Sequence, residues 1–134
     1  MEFLTEEQEA KLLHNGAEEN RDQDHAPVVK LFFPGTHCVW LLNELVPDEP
    51  GIAFGLCDLA MGFPELGYLS LDELAAISIN DMTVKRDDTF KPQYPMSVYA
   101  EAARNFREIT EDPVALQRAK AALEEERQIN PKPE

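Results

Sequence analysis

CVWLLNELVPDEPGIAFGLCDLA, residues 38–60, holds two apolar runs parted by the five-residue breaker PDEPG. CVWLLNELV (38–46) and IAFGLCDLA (52–60) are short, bounded and rich in strand-favouring residues, so both read as strands. A short connector with two prolines and a glycine makes them antiparallel neighbours. The pattern extends outward: VVKLFF (28–33) closes on Pro34-Gly35, and LGYLSL (66–71) follows Phe63-Pro64. Short loops between such runs describe an antiparallel meander. A further short strand fits 82–85. Several runs are apolar at both parities, which requires both faces of the sheet to be covered.

Helices from both chain ends supply the cover. Thr5 and Gln8 have capping-box spacing, with Gly16 placed to end the first helix. Residues 17–27, AEENRDQDHAP, are polar and aperiodic and read as a loop. Ser70 with Glu73 starts a short second helix. A third begins near Ser97 and buries Val98, Tyr99, Ala102, Phe106 and Ile109. Asp112-Pro113 pairs a cap with a proline at the first helical position and starts a fourth. That helix runs to about Gln128, with Leu116, Ala119 and Leu123 as its apolar stripe, before a disordered tail over 129–134. The expected fold is α+β: one domain over 1–128, with a mainly antiparallel sheet of four to five strands flanked by N- and C-terminal helices.

Charge bounds the partners. With 26 acidic and 12 basic residues the net charge is −14, so phosphate backbones and anionic lipid repel the chain. Direct nucleic-acid or membrane binding is therefore not expected, while a basic protein partner is. Between Leu31 and Val84 there are 54 residues without Lys or Arg, and eight Asp or Glu. The interior of that stretch is sheet core, where missing bases carry little information. The acids at turns and edges are the informative ones: Glu44, Asp48, Glu49, Asp72, Asp81, Asp87 and Asp88 form the expected partner-binding set. Cys38 and Cys57 are the two cysteines, read as buried thiols acting as small hydrophobes in a reducing cytosol. No basic-then-apolar leader opens the chain, and no apolar run nears the ~18 residues of a membrane span. The expected location is cytoplasmic.

Catalytic signals are sparse. There is no GxSxG, GxxxxGK[ST] or GxGxxG, and no zinc-type spacing, so neither a cofactor nor a metal is expected. Asp58 stands out because strand alternation sets it on the face of Ile52, Phe54 and Leu56. A carboxylate there is either an acid, base or metal ligand, or an acceptor for backbone N–H groups of the following Met61-Gly62 turn. Glu65 is the second carboxylate with which it could divide acid–base work. Phe90, Tyr94 and Tyr99, among Lys85, Arg86 and Lys91, read either as a contact surface or as a loop folded back on the sheet.

The blocks LLHNG (12–16), PVVKLFFP (27–34), WLLNEL (40–45), FGLCDLAMGFPELGYLSLDEL (54–74) and the later FKP and SVYAEA resemble domain-of-unknown-function family 2958, over about residues 4–108. The resemblance implies a small single-domain bacterial protein from plasmids or integrated mobile elements. It adds weight to Asp58, Glu65 and Tyr68 in the most family-like block. It makes the helix after residue 112 an extension, and 21–25 variable text.

Three functions compete. The leading one is a non-enzymatic acidic interaction protein from a mobile element or phage, such as a counter-defence inhibitor (anti-CRISPR or anti-restriction) docking on a basic nucleic-acid-binding surface. The alternative is a small hydrolase-like enzyme using Asp58 and Glu65. The third is an accessory subunit that associates through its C-terminal helix or an apolar patch.

Overall fold

The computed structural model describes residues 3–129. Its centre is a meander of β1 (Val29–Phe32), β2 (Val39–Leu45), β3 (Ile52–Asp58) and β4 (Glu65–Ser70), antiparallel throughout. A two-residue strand, β7 (Lys85–Arg86), adds to the outer side of β1, giving the order β4-β3-β2-β1-β7. The sequence places a strand near 82–85. The chain instead splits there: β5 (Ser78–Ile79) and β6 (Met82–Thr83) form a separate hairpin, and β7 joins the main sheet. Asn80 and Asp81, both with positive φ, make the tight turn of that hairpin.

Helices cover both faces. α1 (Glu6–Gly16) and α2 (Leu71–Ala75) lie over the face presenting Val29, Leu31, Trp40, Leu42 and Ala53, and Leu12, Leu71 and Leu74 complete this first core. α3 (Met96–Phe106) covers Leu41 and Leu56 on the other face with Val98, Tyr99, Ala102 and Ala103, while α4 (Pro113–Ile129) packs Leu116 and Ala119 into the same second core. The Thr5–Gln8 capping box forms, and Ala115 N donates to Asp112 Oδ2 at 2.9 Å. Ser70 Oγ accepts from Glu73 N at 3.2 Å. Gly16 is required by contact: a Cβ there would sit 1.9 Å from the Leu45 carbonyl oxygen, so α1 meets the β2 backbone directly.

Two details differ from the periodicity. Phe106 is 55% exposed, because the chain turns left-handed at Arg107 and leaves the helix before the ring can reach the sheet. α4 continues through Ile129, and the rest of the expected tail lies outside the described residues. The aromatic loop residues fold inward. Phe90 and Tyr94 stack edgewise on buried Tyr99, whose hydroxyl accepts from Gln93 N at 3.1 Å.

The polar loop between α1 and β1 is structural. Pro95 offers α3 no side-chain cap. Asp24 replaces it across 73 positions, accepting from Ser97 N at 3.0 Å and from the Ser97 hydroxyl. The His25 carbonyl accepts from Met96 N at 3.0 Å and from Asn43 Nδ2 at 3.3 Å.

Candidate interaction surface

β4 is the terminal strand of the sheet. Its register with β3 pairs Phe54 with Tyr68 and Leu56 with Leu66, which sets Leu66 and Tyr68 on the α3 face. α3 buries Leu56 but stops short of its neighbours, leaving Tyr68 71% and Leu66 47% exposed. Tyr68 rests edge-on against Phe54, ring centroids 5.0 Å apart. Between Leu66 and the flank of α3 lies a shallow, mainly polar groove of about 330 Å³ lined by Leu56, Pro64, Glu65, Ala100 and Arg104. Leu59, Met61 and Phe63, on the loop that leads into β4, are also exposed. β4 and the loop before it therefore carry five exposed large apolar side chains: Leu59, Met61, Phe63, Leu66 and Tyr68.

Acids border Tyr68. A second cleft, of about 370 Å³, joins Tyr68 and Ile52 to Glu44, Asp48 and Glu49, with Arg21 the one cation on its lining. Glu44 arrives there through a β-bulge. Strict alternation after Trp40 and Leu42 would aim Glu44 into the first core. The register slips at Asn43, so Glu44 pairs with Phe54 on the other face while Leu45 returns to the first core. Burial pushes the Glu44 carboxyl above its usual range, partly offset by His25 and Arg21, with Asp22 adding to the rise. Asp72 stands beside Gly51, its Oδ2 3.5 Å from where a Cβ would project. Among the described residues, none of Glu44, Asp48, Glu49 and Asp72 makes a salt bridge.

The remaining acids of the expected set lie elsewhere. Asp87 pairs with Lys30 at 3.4 Å and Asp88 with Arg86 at 2.6 Å, in a cleft on the β1–β7 side. Asp87 sits below the usual carboxylate range, held there first by the Thr89 hydroxyl and also by the Thr89 N–H and Lys30. Asp81 occupies the tip of the β5–β6 hairpin. Three of the seven acids thus line one cleft, Asp72 stands on α2 beside Gly51, two pair with cations and one serves a turn.

Asp58 and Glu65 do not converge. Glu65 pairs with Cys57, one register step from Asp58, and so projects to the opposite face. Asp58 is 1% exposed, and each carboxylate oxygen accepts a backbone N–H at 2.9 Å: Oδ1 from Ala60 and Oδ2 from Ile109. The turn donor is Ala60 rather than Met61 or Gly62, since Ala60 adopts the left-handed conformation that brings its N–H back to the side chain. The Ile109 bond ties the α3–α4 linker to the end of β3. Cys57, its thiol pushed up to about 11 by burial, packs on the first core and is a poor nucleophile at neutral pH. Among the described residues no three His, Cys, Asp or Glu side chains gather to hold a metal ion, and no helix is long and apolar enough to cross a membrane.

The exposure of Leu66 and the loop apolars is not legible in the sequence. Its available signal was the run GFPELGYL, apolar at the one strand of the meander with a single strand neighbour. No curated protein and no solved structure matches the chain. A family model does, over residues 3–110, which takes in the sheet, α1 to α3 and the whole β4 surface and stops short of α4. The chain belongs to the family described as "Protein of unknown function (DUF2958)".

Proposed function

We propose that the protein is a non-enzymatic interaction module that docks on a basic protein through the β4 surface and its acidic rim. The observation that carries this reading is the cleft that joins exposed Tyr68, the strand neighbour of exposed Leu66, to Glu44, Asp48 and Glu49, three acids with no salt bridge among the described residues. Apolar centres give binding energy, and charged rims steer association and select the partner. Glu44 strengthens the case, since its charge is held where burial disfavours it. Asp58 supports the non-enzymatic side, because both of its oxygens are committed to backbone donors.

The version that best fits the charge is a cytoplasmic inhibitor, carried by a bacterial mobile element or phage, that occupies the nucleic-acid channel of a host defence protein. The acids would stand where phosphates normally lie. The test is affinity purification from the native host, followed by titration of the recovered partner at about 0.05 M and about 0.5 M salt. Replacing Glu44, Asp48, Glu49 and Asp72 by their amides should weaken binding severalfold and flatten its salt dependence. Equal affinity for both proteins, at both salt concentrations, would overturn the proposal.

A further inference from the structure

The two edges of the sheet are finished differently. β7 has two residues, both cationic, and is pinned by Arg86, which donates to the Phe3 carbonyl at 3.0 Å and pairs with Asp88. A short charged strand is the usual protection against stray pairing. β4 has six residues, ELGYLS, with no Lys, Arg or Pro, and nothing among the described residues pairs with its outer side.

Its hydrogen-bond parity identifies which groups are free. Leu71 N donates to Gly51 O at 2.8 Å, which makes 51 and 71 a hydrogen-bonded pair. Antiparallel ladders alternate, so Leu69, Gly67 and Glu65 turn their N–H and C=O toward β3. Leu66 and Tyr68 turn theirs outward. The residues that offer the free backbone groups are therefore the ones whose side chains form the apolar strip on the α3 face. The other face of the same edge is acidic: Glu65 lies on it, and α2, with exposed Asp72 and Glu73, packs there.

We infer that β4 accepts an extended segment of a basic partner as a sixth strand, its apolar residues beside Leu66 and Tyr68 and its alternate Lys or Arg residues beside Glu65 and α2. Charge selects this occupant over a second copy. Antiparallel β4–β4 pairing would bring Glu65 against the Asp72 end of the other chain and join two molecules of net charge −14. The inference rests on the docking function proposed above and specifies how the partner is held.

The experiment is an amide-resolved NMR titration of the full chain with three acetylated, amidated ten-residue probes: alternating Lys-Val, alternating Glu-Val and alternating Lys-Pro. The Lys-Val probe should bind saturably, slow hydrogen exchange at the Leu66 and Tyr68 amides, and exceed both other probes by about tenfold or more. Tyr68→Pro removes an outward N–H and no β3–β4 bond, and should abolish this protection; Tyr68→Ala keeps the N–H and should retain the protection with weaker affinity. If Lys-Pro binds as tightly as Lys-Val, strand addition fails while docking of a basic partner survives. If neither Lys probe binds, both readings fall. Concentration-dependent dimerisation lost in Tyr68→Pro would overturn the inference in favour of a second copy.

Discussion

Replacing Asp58 by alanine should be among the most damaging single changes on the sheet. The side chain is buried, and its two oxygens satisfy the N–H groups of Ala60 and Ile109, each at 2.9 Å. Hydrogen bonds to a charged acceptor contribute about 1.5–3 kcal/mol each, and alanine leaves both donors without a partner. The expected loss is about 3–5 kcal/mol, a large fraction of the roughly 5–15 kcal/mol that holds a domain of this size. With an unfolding entropy of about 2 cal/mol/K per residue, that loss lowers Tm by about 10–18 °C. Asp58→Asn keeps the shape and one acceptor but turns an NH2 toward the other donor, so about half the loss is expected. Urea unfolding followed by circular dichroism measures both values. Hydrogen exchange adds a local signature, faster exchange at the Ile109 amide. An alanine variant destabilised by less than about 1 kcal/mol, with Ile109 exchange unchanged, would refute the assignment of Asp58 as the clamp between β3 and the α3–α4 linker.

Three further outcomes follow from the same geometry. Glu44 has its folded pKa raised by burial, so the native state binds its proton more readily than the unfolded chain and its charge costs stability at neutral pH. Glu44→Gln should therefore raise the urea midpoint at pH 7, and the gain should vanish below the unfolded carboxylate value of about 4.3. Gly16→Ala would drive a Cβ to 1.9 Å from the Leu45 carbonyl oxygen, and a loss of about 1–3 kcal/mol is expected in thermal melts as α1 lifts from β2. Cys57 in the folded protein should react with iodoacetamide at pH 8 at least about a hundredfold more slowly than in urea, because its thiol is pushed up to about 11.

The edge strand and the acidic rim share one physical logic. Glu44 carries a disfavoured charge, and β4 leaves apolar side chains and backbone groups open to solvent. Each is a local cost that folding alone does not require, and such departures concentrate at working surfaces. The α4 extension belongs to the other side of the account. It lies beyond the family match and packs Leu116 and Ala119 into the core cluster that α3 shares.

Local chemistry was legible from residues 5–8, 47–51 and 112–113, because caps and tight turns are decided by neighbours within a few positions. The antiparallel meander and the need for helices on both faces followed from short loops and apolar residues at both parities. What the sequence by itself could not determine was every consequence of register and pairing. The bulge at Asn43 turns Glu44 from one face to the other, and no local pattern announces a one-residue slip. Asp58 and Glu65 look like partners seven positions apart, yet a single register step sets them on opposite faces. β7 bonds to β1 across more than fifty residues, and that long-range pairing leaves β4 as the open edge. Residue chemistry chose the elements. Only the tertiary structure decided which acids lack an ion pair, which are neutralised, and which strand keeps unpaired backbone groups among the described residues, because those depend on what lies beside each residue in space.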